Sequence, residues 1–138
     1  MKNKLISIII TFTMFNFIFG QDSIHTCIFE IDTLTNTHLY LKVDTEPSYP
    51  GGRVEMMKFI QKNLAYLAND CYSGRIFVSF IVEVSGKIST LKIVKSINKE
   101  IDQTAIDVIN KMPDWIPATC QNKNVRSTVI LPFYIALD

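Results

Sequence analysis

The chain predicts an α+β domain, a small three-stranded antiparallel sheet with two helices packed on one face. Three observations carry that expectation. A stretch of helical period spans 53–67. Two alternating apolar segments, 75–84 and 87–95, flank the turn signal Ser85-Gly86. A second helical stretch stops at Met112-Pro113, and an apolar strand, 125–137, follows it.

Before these elements lie two segments of different character. Lys2 and Lys4 precede an apolar run, Leu5–Phe19, and Gly20 supplies a small residue before Gln21. Residues 1–20 therefore read as a secretory signal peptide. The run falls short of the roughly 20 apolar residues of a membrane span, so a short uncleaved anchor is the alternative. Residues 21–45 form an N-terminal extension. Cys27–Ile31 and His38–Val43 both alternate around a turn-like Asp32–Asn36, which predicts a small hairpin. Glu46-Pro47-Ser48-Tyr49-Pro50-Gly51-Gly52 is the boundary, and 46–138 is the domain.

Within the domain, Met56, Ile60, Leu64 and Leu67 share one face of the first helix, and Asn69-Asp70 ends it. Ile76, Val78, Phe80, Val82 and Val84 alternate with Phe77, Ser79, Ile81 and Glu83, as expected of a strand covered on both faces. On the returning strand Ile88 is out of phase with Leu91 and Ile93. A bulge near Ser89-Thr90 restores the phase. Asp102 is the expected N-cap of the second helix, whose buried face is Ala105, Val108, Ile109 and Met112. Trp115 reads as a plug between helix and sheet, with a recognition role as the alternative. In the closing strand Pro132 cannot donate to a ladder, which marks an edge or a bulge. An edge strand offers free backbone groups to another chain.

With 48% hydrophobic and 20% charged residues in 138, the chain is one globular domain. A formal net charge of +1 gives no reason to expect nucleic acid. Export permits a disulfide. Cys71, just before a strand, and Cys120, in the loop after the second helix, are the candidate pair. Closing a loop of about 50 residues is worth roughly 4 kcal/mol in the chain-entropy model. Cys27 is then left free or intermolecular. His25 and His38 lack metal-ligand spacing, no CxxC occurs, and HExxH, GxSxG, P-loop and dinucleotide fingerprints are missing. Glu83 and Glu100 form no evident acid/base pair. The expectation is a protein that is not an enzyme and uses no cofactor and no metal.

Several pieces occur together in one order. They are Tyr49-Pro50-Gly51-Gly52, Met57-Lys58-Phe59-Ile60, Gly74 through Glu83, Gly86-Lys87-Ile88-Ser89, Met112-Pro113-Asp114-Trp115-Ile116-Pro117 and Leu131-Pro132-Phe133. In that order they resemble the TonB C-terminal domain as it occurs in Bacteroidetes-type energy transducers, over about two-thirds of the chain. The resemblance implies a TonB/TolA C-terminal-like fold in the periplasm. It implies as partner a TonB-dependent outer-membrane receptor, or its TonB-box peptide, bound by strand addition and linked to transmembrane nutrient transport. Inner-membrane motor proteins enter only if the N-terminus stays as an inner-membrane anchor. A self-pairing homodimer with a structural role is a further alternative.

On this reading the partner-binding residues are Tyr49, Pro50, Arg126, Ser127, Thr128, Val129, Ile130 and Leu131. Tyr49-Pro50 is either a receptor contact or a plain helix entry. Arg126 either pairs with a partner carboxylate or guards the edge against aggregation. Three departures from the family stand out. The N-terminal segment reads better as cleaved than as the membrane anchor that family members carry. Pro117-Ala118-Thr119-Cys120 replaces the Pro-Gly-Lys stretch after the tryptophan. The proline-rich spacer is missing, and about 25 residues span at most roughly 85 Å, so the expectation is a domain that grips its partner without pulling on it.

Overall fold

The computed structural model describes residues 26–64 and 73–135. In chain order the elements are β1 (Ile28–Asp32), β2 (Thr37–Lys42), α1 (Gly52–Leu64), β3 (Gly74–Val82), β4 (Ile88–Lys95), α2 (Lys99–Asn110), β5 (Ala118–Cys120), β6 (Lys123–Val125) and β7 (Ser127–Ile135). The predicted hairpin in the N-terminal extension is β1–β2, and it joins the main sheet. That sheet is mixed and five-stranded, in the order β1-β2-β7-β3-β4, not three-stranded and antiparallel. Residues read as a loop before the last strand form the separate two-stranded sheet β5–β6. The predicted end of the first helix at Asn69-Asp70 lies outside the described residues.

The centre of the sheet follows from the alternation in its sequence. Ile76, Val78, Phe80 and Val82 of β3 are fully buried, and so is Phe133 of β7. They meet Ile60 of α1 and Ile101, Ala105, Val108 and Ile109 of α2 in one core cluster. Leu131 and the half-buried Ile88, Leu91 and Ile93 of β4 complete that face. Both helices therefore lie against the same side of the sheet. β3 and β7 are antiparallel and in unbroken register from Gly74↔Ile135 to Val82↔Ser127.

Two local expectations are settled by backbone geometry. The β3–β4 register slips between Ser79↔Lys92 and Ile81↔Ser89, and Thr90 has φ 51°. The extra residue sits there, which brings Ile88 back to the core side. The N-cap of α2 is Asn98, not Asp102. Asn98 is extended (φ −153°, ψ 168°), and its side-chain oxygen accepts the Ile101 amide at 2.8 Å. Asp102 lies within the first turn, where a negative charge favours the helix dipole.

Trp115 is buried, with its ring 5.3 Å from Phe80 and 5.9 Å from Tyr49. It fills the gap between helices and sheet, as the core reading expects. Its segment is stitched to the chain entering α1. Ser48 and Ile116 exchange two amide–carbonyl bonds, at 2.9 and 2.8 Å, and Thr45 and Thr119 exchange two more, at 3.2 and 3.0 Å.

Candidate partner-binding edge

The last strand offers the backbone groups on which a binding reading depends. In an antiparallel ladder a residue's N–H and C=O point to the same side, and that side alternates along the strand. The Arg126 carbonyl accepts the Tyr40 amide at 2.9 Å, so it faces β2 and away from β3. Alternation then turns Thr128, Ile130, Pro132 and Tyr134 outward, while Ser127, Val129, Leu131, Phe133 and Ile135 bond β3. Pro132 consequently costs the β3 ladder nothing, because its missing donor falls on the outer side.

β7 is not a free edge along its whole length, which corrects the simple edge expectation. β2 lies beside it in parallel and pairs at Tyr40↔Ser127. Among the described residues no strand pairs with the outer side of β7 beyond that point. The open stretch runs from Ile130 to Tyr134, and both residues are 58% exposed. Arg75 of β3 places its guanidinium carbon 5.3 Å from the Tyr134 ring centroid.

Against this geometry the predicted site residues separate. Ile130 lies on the open stretch, and Thr128 is half-buried where β2 departs. Val129 is half-buried and packs on the core, while Leu131 and Ser127 are buried. Tyr49 is buried among Phe59 and Trp115, not displayed to a partner. Burial, then the charge of Glu55, pushes its phenol pKa up, so it stays neutral. Pro50 is half-buried and lines a shallow cleft of about 370 Å³ with Glu55, Lys58, Phe59, Lys62 and Pro113.

Arg126 is the largest departure from the predicted site. Its guanidinium is buried and already paired. Nε donates to Glu83 Oε2 at 2.7 Å and one terminal nitrogen to Glu83 Oε1 at 3.2 Å. The other reaches Asp32 Oδ2 at 3.2 Å, Thr35 Oγ1 at 3.0 Å and the Thr37 hydroxyl. Hydrogen bonding to Glu83 dominates the upward shift of its pKa, with Asp32 adding to it. Its charge therefore ties the tip of the β1–β2 hairpin to the end of β3.

The disulfide also differs from the expected pair. Cys120 is bonded to Cys27, not to Cys71, and Cys71 lies outside the described residues. The bond joins positions 93 apart in sequence with their Cα atoms 6.2 Å apart. Docking of the hairpin against β5 brings Cys27 to Cys120, and this also removes Cys27 as an intermolecular link. Cys27, Asp44 and Cys120 are the described ligand-type residues that converge, but the two sulfurs are spent on each other. The Asp44 carboxylate accepts the Gln121 amide at 2.7 Å.

The parts that sequence reasoning missed are Tyr134, Arg75 and the docked hairpin. Continuing the outward phase from Pro132 by two residues would have found Tyr134.

This arrangement defines a class: a small α+β module, helix-covered on one sheet face, with a partly open strand edge suited to protein contacts. Residues 68–135 match the family described as the Gram-negative bacterial TonB protein C-terminal, and the domain belongs to that TonB C-terminal family. The family is one of protein-interaction domains. No curated protein and no solved structure matches the chain. No helix among the described residues is long and apolar enough to cross a membrane.

Proposed function

We propose that this domain binds an extended segment of a TonB-dependent outer-membrane receptor, its TonB box or plug, by strand addition to β7, in support of nutrient transport. The observation that carries the reading is the open stretch Ile130–Tyr134. There the Ile130 and Tyr134 amides and the Ile130, Pro132 and Tyr134 carbonyls face outward. An added strand gains main-chain hydrogen bonds from these groups. Titrating a TonB-box peptide into labelled protein should shift the Ile130 and Tyr134 amides more than those of Val129 and Leu131. Unmoved amides throughout β7 at saturating peptide would refute the reading.

The same reading places the protein in the periplasm after removal of residues 1–20. Intact mass of the mature chain tests this: a start near Gln21 supports export without an anchor, and a retained leader supports an inner-membrane transducer. A second reading, pairing of two copies, is favoured by β1. This outermost strand exposes Ile28, Phe29 and Ile31 at 48%, 48% and 56%. Light scattering under oxidising conditions separates monomer from dimer.

A further inference from the structure

We infer that the β1–β2 hairpin is a built-in stop on the binding edge of β7. It fixes where a partner strand begins, holds that strand to a short segment opposite Ile130–Tyr134, and is kept in place by the Cys27–Cys120 disulfide. The inference rests on the strand-addition reading above and adds the length and register of the partner.

Three observations converge on it. First, the hairpin occupies the same in-plane edge that a partner would use. Tyr40 takes the Arg126 carbonyl, and one flank of a strand holds one neighbour, about 4.8 Å away. The stretch left open, from Ile130 to Tyr134, is about 14 Å long at ~3.4 Å per residue, enough for a partner strand of five or so residues. With the hairpin displaced, the edge from Arg126 to Tyr134 is about 27 Å long.

Second, packing does little to hold the hairpin. Its strands are exposed or half-buried throughout. Cys27, Tyr40 and Val43 meet a small cluster of Ala118, Cys120 and Val125, separate from the main core. A two-stranded hairpin with so little buried surface is marginal by itself. Third, the hairpin is fastened at discrete points. The disulfide secures the start of β1, Arg126 secures the turn through Asp32, Thr35 and Thr37, and the Tyr40 amide secures the middle of β2.

The clasp is open to thiol–disulfide exchange. Cys27 is half-buried and Cys120 is buried, so the Cys27 sulfur is the side open to attack. A dithiol attacks Cys27 Sγ and expels the Cys120 thiolate, and its second thiolate then releases Cys27. Two protein thiols and one reductant disulfide result, a balanced two-electron exchange.

The test compares the full chain oxidised, reduced with dithiothreitol, and carrying Cys27→Ser. Two capped peptides of alternating valine and threonine, five and nine residues long, serve as probes. In the oxidised protein both should bind with Kd values within about twofold and shift the Ile130 and Tyr134 amides. In the reduced and Cys27→Ser proteins the nine-residue peptide should gain at least tenfold over the shorter one, and should shift Thr128 and Tyr40 as well. An equal length dependence in all three proteins overturns the stop while leaving strand addition standing. If neither peptide binds in any state, strand addition fails and the stop fails with it. Hydrogen exchange without peptide gives an independent reading: reduction should speed exchange at the Tyr40 amide at least tenfold and leave Val78 unchanged. Equal exchange at Tyr40 in both redox states overturns the clasp.

Discussion

The helix-covered centre of the sheet and the hairpin end are held together by different physics. In the centre, Phe80, Phe133, Ile76 and Val78 are fully buried between β-strands and helices, and stability scales with apolar area removed from water. At the hairpin end, Phe29, Ile31, Leu34 and Leu41 remain exposed. A disulfide, one multiply bonded arginine and a single strand bridge replace packing there. Area-based stability is cooperative and opens with the whole domain. Point fastenings can be undone one at a time, so the hairpin is the region able to open alone.

The largest expected effect belongs to the centre. Phe80→Ala removes a fully buried ring that packs on Trp115, and it should cost about 3–5 kcal/mol. Chemical denaturation followed by Trp115 fluorescence measures it. A loss below about 1 kcal/mol would mean that the centre is not held by packing.

The next effect isolates one contact at the rim of that centre. Gly86 has φ +87°, and an added Cβ would lie 2.1 Å from the Trp115 carbonyl oxygen. Its own carbonyl accepts the Trp115 amide at 2.8 Å. Gly52 has nearly the same φ, +81°, with nothing within 4 Å of such a Cβ. Both alanine substitutions carry backbone strain of roughly 1–2 kcal/mol. Gly86→Ala should cost clearly more, and the excess measures how tightly the Trp115 segment is tied to the β3–β4 turn. Equal losses in the same denaturation assay would show that the segment yields freely.

The same division explains what could be read from the sequence. Wherever apolar periodicity dictates packing, the pattern was decisive. β3, its β4 partner with the bulge at Thr90 and the buried face of α2 all follow from it. The candidate site was legible only in part. Pro132 signals an outward-facing position, and alternation carries that phase to Ile130 and Tyr134, but the strand that covers the start of the edge, with Tyr40 on the Arg126 carbonyl, comes from far along the chain. The partners of Arg126 and Cys120 likewise come from the hairpin, at Asp32 and Cys27. Local pattern predicts that such a hairpin forms; it carries no information on which strand the hairpin docks against. For this reason Cys120 pairs with Cys27 and not with Cys71, the neighbour of a predicted strand: the pairing is set by a docking that hydrophobic period does not encode.

The smallest effect should fall on the hairpin alone, and pH reveals it. The Asp32 carboxyl is held below its ordinary value of 3.8, first by the Thr35 hydroxyl, then by the Leu34 amide and, after a smaller opposing effect of burial, by Arg126. The Thr35 and Leu34 bonds lie within the turn itself, so docking favours the carboxylate through the smaller Arg126 contribution alone. A folded pKa below the unfolded one gives a contribution that is complete above the unfolded value and is lost as pH falls through the folded one. Arg126 remains protonated throughout, since its own pKa is raised. The hairpin should thus loosen as pH drops below about 4, the ordinary carboxylate range. The Tyr40 amide resonance, followed from about pH 6 to about pH 3, should move toward an unpaired position while Val78 stays fixed. Asp32→Asn should remove that inflection, because the amide no longer titrates yet still accepts the Leu34 N–H. If Tyr40 and Val78 titrate together, the hairpin is coupled to the core and opens only with the whole domain, so the two regions are a single cooperative unit after all.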